Sequence, residues 1–349
     1  MRRSVILIPA YNPNQKLLKL VKDLERDFAK IIIVNDGSKE GLEVFCDLKK
    51  NNNCVVLEYK DNHGKGYALK YGIDYYLKHL IMDYIGIITV DADYQHLPLD
   101  IIKIAKEMEV DDSQIILGVR NFYEKKIPIL NKIGNRFTSF IFRILYGKKI
   151  QDTQTGLRGI PNKYVDDCLE IDGDRFEYEI EKLIYFVNNK IPIKEVMITT
   201  IYYTKGESKF NKLIDSLKIY KVLLKESFRF LVTSLVSSFL DIILFTISLS
   251  VLTSMGDLKI IFSTFIARII ADFLNFNLTK YFVFNTKEEF KKILVKYYIL
   301  SIVKMALSAI LVLLLSKLIS INETFIKVCV DIFIYFLSYR IQKKYIFKT

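Results

Sequence analysis

The chain has 349 residues, 51% of them hydrophobic, and a formal net charge of +12 at pH 7. The mean hydropathy of +0.21 is high for a soluble protein, and the long apolar runs lie after about residue 225. This distribution excludes one soluble globule and predicts a soluble domain followed by a membrane domain. The lysines cluster beside the apolar runs without a nucleic-acid recognition motif, so the charge indicates an anionic membrane surface and no nucleic-acid partner.

The cysteines and the N-terminus both indicate a cytosolic first domain. The four cysteines show no CxxC spacing, which is typical of free thiols in a reducing compartment. The apolar stretch near the N-terminus covers only Val5 to Ile8, which is too short for a signal peptide. We therefore expect the first domain to stay in the cytosol.

Short apolar strands alternate with helices through the first part of the chain, and we see no internal repeat. The predicted strands are Val5–Ile8, Ile31–Val34, Cys54–Glu58 and Tyr84–Val90, with helices over 17–28 and 67–80. Because each strand is a continuous apolar run, the pattern predicts an α/β fold with a mostly parallel sheet covered on both faces. Ligands bind beyond the carboxyl ends of such strands, and each motif described next follows a strand.

Two carboxylates, Asp91 and Asp93, follow the fourth strand two residues apart, and both can turn toward one point. Hard oxygen ligands of this kind suit Mg²⁺ or Mn²⁺. Such an ion would neutralise a diphosphate leaving group and stabilise the charge that develops on it. A lone pair with this spacing is more often a solvated turn, so the assignment depends on the neighbouring motifs.

The neighbouring motifs favour a site, because they should face the same crevice. Pro9-Ala10-Tyr11-Asn12 and Asn35-Asp36-Gly37-Ser38 end the first two strands. Asp36 can accept hydrogen bonds from a nucleobase or ribose, or it can cap a turn. The glycines around Lys65 let the backbone approach a ligand and Lys65 supplies a charge for phosphate; the alternative is a flexible turn.

The chain resembles the family 2 glycosyltransferases, and within them the polyprenyl-phosphate sugar transferases of the dolichol-phosphate mannose synthase type. The resemblance covers residues 5 to about 225 in order, through the motifs IPAYN (8–12), VNDGS (34–38), HGKGYALKYG (63–72), DADYQH (91–96) and DTQTGLRG (152–159). It implies a GT-A fold, a nucleotide-sugar donor and a divalent metal.

The resemblance also implies roles for individual residues. The donor-binding positions are Pro9, Ala10, Tyr11, Asn12, Asp36, Lys65, Ala92 and Lys209. The metal positions are Asp91, Asp93 and Gln95, and the catalytic positions are Asp91, Asp93 and Arg120. The acceptor-phosphate positions are Arg120, Arg136 and Ser139, where a guanidinium fork suits a phosphate dianion. Two positions depart from the family's pattern: Pro13 stands where many relatives have Glu, and Tyr203 replaces the Arg of an RxxGxSK loop.

A phosphate monoester acceptor needs no general base, because at pH 7 it is already largely dianionic. We therefore expect a single-displacement, inverting transfer in which positioning and metal electrostatics dominate. Asp152 and Glu177 would orient arginines or sugar hydroxyls; the alternative is that they are ordinary salt-bridge partners.

Four membrane spans are predicted over 230–252, 260–282, 297–315 and 325–339, and the lysines and arginines between them obey the positive-inside rule. The predicted domains are a GT-A domain over 1–206, an interfacial amphipathic region over 207–228 and a membrane domain over 229–349. This arrangement predicts a multi-pass protein of the cytoplasmic (inner) membrane with the catalytic domain and both termini in the cytosol. The last part resembles the GtrA-like four-helix domain, and its charged residues either present the lipid-linked sugar or pair to join the helices.

Two other classes of function compete with the polyprenyl-phosphate transferase. A processive polysaccharide synthase would carry a QxxRW motif, but the chain has no tryptophan. A lipid-linked sugar transporter would use the GT-A domain only to bind its ligand, which the Asp91/Asp93 pair argues against. The choice between UDP- and GDP-hexose donors, and self-association through the membrane domain, stay open at this point.

Overall fold

The computed structural model describes residues 3–122, 129–199, 214–256, 258–286, 288–318 and 323–348. The chain folds into two compact units, Met1–Leu223 and Leu224–Thr349. Lys209 lies outside the described residues, as does the predicted interfacial region up to residue 213.

The first unit is built on a seven-stranded sheet. Its strands are β1 Val5–Ala10, β2 Ile31–Asp36, β3 Cys54–Tyr59, β4 Gly86–Thr89, β5 Ile115–Arg120, β6 Arg158–Pro161 and β7 Ile193–Ile198. They lie in the order β3-β2-β1-β4-β6-β5-β7, and only β6 pairs antiparallel to its neighbours. The prediction of a mostly parallel sheet is therefore confirmed.

Helices follow the strands as an α/β pattern requires. They are α1 Gln15–Leu24, α2 Leu42–Leu48, α3 Lys65–His79, α4 Pro98–Val110, α5 Ile129–Tyr146, α6 Asn162–Val165, α7 Asp167–Glu170 and α8 Glu177–Asn188. All six residues of β2 are buried, as expected for a strand covered on both faces. On one face, apolar side chains such as Leu17 and Leu20 of α1 and Ile104 of α4 pack with Ile31 and Ile33 of β2 in one core.

The second unit is helical. Its described helices are α9 Ile214–Val251, which begins in the first unit, α10 Leu258–Leu278, α11 Phe290–Leu318 and α12 Glu323–Ile341. Within the described residues, two segments are long and apolar enough to cross a membrane, Asp215–Val251 and Phe290–Leu315. Four spans therefore stay a prediction. An interfacial region before a separate span was expected, whereas residues 214–251 form one continuous helix.

The helical unit contains an internal repeat, so the prediction that the chain has none was wrong. A π-helical turn follows α10 at Thr279–Val283, and a second follows α12 at Gln342–Ile346. In both copies the second residue of the turn is a lysine that is 6% exposed, and the residue after the turn is a buried phenylalanine. Asn285 and Lys348 then adopt positive φ angles of 42° and 49°. The repeated segment is short and its identities are few, which is why periodicity alone does not reveal it.

Asn162 at the start of α6 joins α3 to the loop before β4. Its amide oxygen accepts a 2.6 Å hydrogen bond from Tyr76 Oη, and its amide nitrogen donates to the carbonyl oxygens of Ile81 (3.1 Å) and Tyr84 (2.6 Å). We expect Asn162→Ala to lower the free energy of unfolding by about 2 kcal/mol, because it leaves the buried Tyr76 hydroxyl without its acceptor. Tyr76→Phe removes only one of these bonds and should cost about 1 kcal/mol. Denaturant titrations of the purified variants would measure both losses, and an equal loss would contradict the joining role of Asn162.

Candidate active site

The predicted site residues gather at one edge of the sheet. Strands β1 to β5 all run in the same direction, so their carboxyl ends share this edge. Because β6 is antiparallel to its neighbours, its N-terminal end lies at this edge. The loop before β6 therefore also reaches the edge, and Thr89 Oγ1 donates a 2.7 Å hydrogen bond to the Gly156 carbonyl there.

Asn12 connects the loops that follow β1 and β2. Its backbone N–H donates to Ser38 Oγ at 2.8 Å, and its side-chain oxygen accepts from the backbone N–H groups of Lys39 (2.9 Å) and Glu40 (3.2 Å). The residue has a φ of 45°, a conformation that asparagine tolerates better than most residues. Beside it, Ala10 is buried and Tyr11 is 37% exposed. The first predicted donor motif thus forms a fixed loop that carries an exposed ring.

The Asp36 carboxylate holds the glycine-rich turn in place. It accepts hydrogen bonds from Tyr59 Oη (2.8 Å), Asn62 Nδ2 (2.8 Å) and the backbone N–H groups of His63 (2.9 Å) and Gly64 (3.0 Å). Burial and the Asp36 charge raise the pKa of Tyr59, so its hydroxyl stays protonated and donates. Asp36 is 3% exposed. Asp36 therefore caps a turn, which was one of the two alternatives for it; contact with a nucleoside stays a prediction.

Lys65, the first residue of α3, lies against the acidic motif. Its Nζ is 2.6 Å from Asp91 Oδ1, and His96 Nε2 is 3.3 Å from Asp91 Oδ2. Burial alone would raise the pKa of Asp91, but the Lys65 ammonium, together with His96, outweighs burial and holds it well below its usual range. Asp91 is therefore ionised at any physiological pH.

Asp93 is electrostatically linked to Asp91. Burial raises the pKa of Asp93, and the Asp91 charge raises it further. Asp93 Oδ1 accepts a 3.1 Å hydrogen bond from the backbone N–H of Gln95, across a turn in which Tyr94 has a φ of 60°. Ala92 lies between the two acids. Concentrated negative charge of this kind fits a cation.

A buried group of charges backs the acidic motif. Glu179 on α8 is 5% exposed and Arg158 and Lys182 are fully buried. Glu179 Oε2 lies 3.1 Å from both Arg158 Nε and Lys182 Nζ, while its Oε1 lies 3.4 Å from Lys65 Nζ. One carboxylate thus contacts three cationic side chains and connects α8 and the start of β6 to the acidic edge.

The predicted acceptor residues meet around residues 151 and 152. The Asp152 carboxylate, which is fully buried, binds Arg120 in a bidentate manner, with Nε at 2.6 Å and Nη2 at 2.9 Å. Ser139 Oγ donates to the Gln151 carbonyl at 3.3 Å. Arg136, one turn earlier on α5, is exposed. Asp152 therefore pairs with the Arg120 guanidinium and fixes it, which both alternatives for Asp152 allow. Glu177 accepts a 3.2 Å hydrogen bond from the nearby Arg175 backbone N–H.

Family models match both units of the chain. The model for glycosyl transferase family 2 matches residues 5–169, and the model for the GtrA/DPMS transmembrane domain matches residues 229–347. The UDP-N-acetylglucosamine–dolichyl-phosphate N-acetylglucosaminyltransferase of Methanococcus voltae is 31% identical, over 63% of this chain and 94% of that protein. The chain belongs to glycosyltransferase family 2.

Further relatives of this glycosyltransferase include the dolichyl-phosphate beta-glucosyltransferase of Dictyostelium discoideum, 27% identical over 65% of this chain and 74% of that protein. Among solved structures, glucosyl-3-phosphoglycerate synthase from Mycobacterium tuberculosis with UDP aligns over 64% of this chain and 79% of that chain. Its sequence identity is 13% and its TM-score is 0.49.

The structure brings most of the predicted residues of the glycosyltransferase to one edge and adds two that sequence reasoning missed. Pro9 to Asn12, Asp36, Lys65 and the acidic motif share the carboxyl edge of β1 to β4. Arg158 and Lys182 were missed, although Arg158 lies inside a quoted motif. The sequence did offer a signal for Lys182. It lies one helical turn after Glu179 on the apolar helix α8, a spacing that favours an ion pair.

Gly156 leaves room for the contact between Asp91 and Lys65. A methyl group there would lie 2.5 Å from Asp91 Oδ2 and 2.8 Å from Lys65 Nζ. We expect Gly156→Ala to displace both flexible groups, with little loss of stability but with kcat/KM for sugar transfer lowered on the order of tenfold to a hundredfold. Steady-state transfer assays would measure this loss. The matched control is Gly134→Ala on α5, where nothing lies within 4 Å of the added methyl group; equal losses in both variants would contradict the role of Gly156.

Glu179 should make stability depend on pH. Burial alone would raise its pKa, but Arg158, Lys182 and Lys65 lower it from 4.5 to about 2. Because the folded pKa is the lower one, the ionised carboxylate stabilises the fold above pH 4.5, and this contribution is lost as the pH falls toward 2. We expect Glu179→Gln to lower the free energy of unfolding by about 3 kcal/mol at neutral pH, and the two proteins to converge near pH 2.

Unfolding titrations of both proteins between neutral and acidic pH would measure this dependence. The control is Glu58→Gln, whose exposed contact with Lys49 should contribute less than about 1 kcal/mol. A difference between wild type and Glu179→Gln that does not change with pH would refute the electrostatic explanation.

Proposed function

We propose that this glycosyltransferase transfers a hexose from a nucleotide-sugar to a polyprenyl phosphate, with inversion, at the cytosolic face of the cytoplasmic membrane and for cell-surface glycosylation. The observation that carries the proposal is the charged edge of a family 2 domain, where Lys65 contacts Asp91 and Asp93 follows two residues later. The names of the relatives from Methanococcus voltae and Dictyostelium discoideum, which both mention dolichyl phosphate, support the acceptor class. The GtrA/DPMS match supports a lipid environment.

A divalent cation, Mg²⁺ or Mn²⁺, fits the acidic motif with help from its substrate. The described residues contain no cluster of three or more His, Cys, Asp or Glu side chains that could hold a metal ion by themselves. Mg²⁺ commonly takes one or two carboxylates and completes its ligands with substrate phosphates. Asp91 and Asp93 would therefore hold the ion together with the donor diphosphate, with Gln95 beside them. Bound there, the ion would neutralise charge on the leaving diphosphate.

The residues around the motif position the two substrates. The Asp36 carboxylate fixes the turn that presents Lys65, whose ammonium then lies where diphosphate oxygens would approach Asp91. Tyr11 and the backbone of residues 9 to 12 form the nucleoside side of the crevice. Lys209 is proposed to close over the donor, as the family resemblance implies.

The acceptor is proposed to bind on the side of β5 and α5. Asp152 holds the Arg120 guanidinium in a fixed orientation, and a fixed fork loses little entropy when it binds a phosphate. Ser139 and the exposed Arg136 would contribute further donors. The acceptor oxygen is already a nucleophile at neutral pH, so these groups need only to place it behind the anomeric carbon.

The remaining predictions complete the proposal. We propose a GT-A domain over 1–206, an interfacial region over 207–228 and a membrane domain with four spans over 229–349. Both termini then lie in the cytosol. The donor nucleotide is UDP or GDP.

A transfer assay with the purified full-length protein tests the proposal. With Mn²⁺, undecaprenyl or dolichyl phosphate and a panel of radiolabelled UDP- and GDP-sugars, one donor should yield a labelled lipid phosphate sugar. Asp91→Asn and Asp93→Asn should each lower kcat at least on the order of a hundredfold, because both remove charge at the leaving group. Asp74→Asn, whose acid contacts the exposed Lys78 on α3, is the matched control. Equal turnover in EDTA would exclude the metal, and no product from any donor would refute the transfer.

A further inference from the structure

The helical unit is organised as two interlocked copies of one hairpin. The first copy comprises α9, α10 and the first π turn, and the second comprises α11, α12 and the second π turn. Each copy ends in a buried phenylalanine, and the rings of Phe284 and Phe347 stack on each other at 5.1 Å. This contact between equivalent residues indicates a pseudo-two-fold relation between the copies.

The aromatic core around this pair obeys the same relation. Phe230 of α9 packs on Tyr339 of α12 at 5.6 Å. In the equivalent arrangement, Tyr297 of α11 packs on Phe276 of α10 at 5.4 Å. Phe230 therefore corresponds to Tyr297, and Tyr339 corresponds to Phe276.

The two copies differ at their buried lysines. In the second copy, Lys343 forms an ion pair with the carboxylate of Glu226 on α9, which also accepts a 2.8 Å hydrogen bond from Tyr339 Oη. Glu226 precedes Phe230 by one helical turn. The corresponding residue before Tyr297 is Ile293, which is 1% exposed.

The first copy therefore has the buried lysine, Lys280, but an isoleucine, Ile293, at the position that corresponds to Glu226. The ammonium of Lys280 lies over the rings of Tyr281 at 5.0 Å and Phe290 at 5.2 Å, and the residue is 6% exposed. Phe276 has no hydroxyl where Tyr339 has one. Among the residues that the structure describes, no carboxylate forms an ion pair with Lys280; the nearby Glu288 pairs with Lys348.

A lysine side chain that lies almost wholly inside the protein without an anion beside it leaves its charge to be balanced by another group, because aromatic rings compensate only in part. At the equivalent position of the second copy, the Glu226 carboxylate supplies the anion for Lys343. We propose that Lys280 and the first π turn form a binding site for the phosphate group of a membrane lipid.

The position of the turn supports a lipid phosphate. A helix of about 20 residues matches the thickness of the hydrocarbon layer, and α10 has 21 residues before the turn begins. With α10 as one of the four proposed spans, the turn would lie at the level of the headgroups, where phosphate is the abundant anion. Arg229, whose guanidinium lies 5.2 Å from the Phe282 ring, adds a second positive charge to the same turn. The inference does not depend on the proposed sugar transfer.

Two substitutions test the site in the full-length protein in a phosphate-free, non-ionic detergent. Lys280→Met removes the cation, and Ile293→Glu supplies the carboxylate that the second copy already has. Each should weaken phosphate binding about tenfold. Lys280→Met removes the charge-assisted contact, and in Ile293→Glu the new carboxylate already pairs with Lys280. Lys344→Met, on the exposed side of the second π turn, changes the net charge equally and should leave binding unchanged.

The measurement is the shift of the melting temperature with the concentration of undecaprenyl phosphate, phosphatidylglycerol or inorganic phosphate. Undecaprenyl phosphate can also bind at the proposed acceptor site, so only the part of each shift that Ile293→Glu removes is assigned to the π turn. Such a part with undecaprenyl phosphate alone identifies the substrate class as the occupant, with both lipids it identifies a structural lipid, and with inorganic phosphate it identifies the anion itself. No shift in the wild type, or a shift that Ile293→Glu leaves unchanged for every ligand, would overturn the proposal; this variant keeps Lys280 and remains informative if Lys280→Met does not fold.

Discussion

The contact between the Lys65 ammonium and the Asp91 carboxylate is the interaction on which the charged edge depends. Two neighbouring carboxylates repel each other, and the Asp91 charge adds to burial in raising the pKa of Asp93. Lys65 at the start of α3 offsets it by pairing with Asp91, and Glu179 contacts the same ammonium. The arrangement keeps Asp91 ionised before any ligand arrives, so binding requires no proton to leave. A preorganised charge of this kind costs little reorganisation during reaction.

The sequence predicted which edge of the sheet holds the site, because a polar motif that directly follows a buried strand must lie at the carboxyl end of that strand. Asp36, Asp91 and Asp93 each follow a buried apolar run, and parallel strands bring their ends together whatever the loops between them do. Turn capping was one alternative for Asp36, but which turn it caps could not be predicted, since that depends on where residues 62 to 64 return. The sequence locates the Asp36 motif at the edge of the sheet, and the fold determines which hydrogen-bond donors reach the carboxylate.

The buried charges and the membrane helices were less accessible to sequence reasoning, for two different reasons. Arg158 and Lys182 become partners of Glu179 only when α8 packs beside β6, which no local pattern specifies. The helical repeat escaped notice because helix-forming apolar residues are interchangeable, so two related hairpins keep few identical residues. The feature that both hairpins share is the π turn with its buried lysine and phenylalanine, because the geometry of the turn tolerates little variation.

The interlocked aromatic core has a consequence for how the membrane part is made. The ring of Phe230 in the first hairpin packs on Tyr339 from the second, and Tyr297 in the second packs on Phe276 from the first. The first hairpin alone therefore lacks aromatic contacts that only the second supplies. Assembly of this core requires both hairpins to be present, so it follows the synthesis of α12.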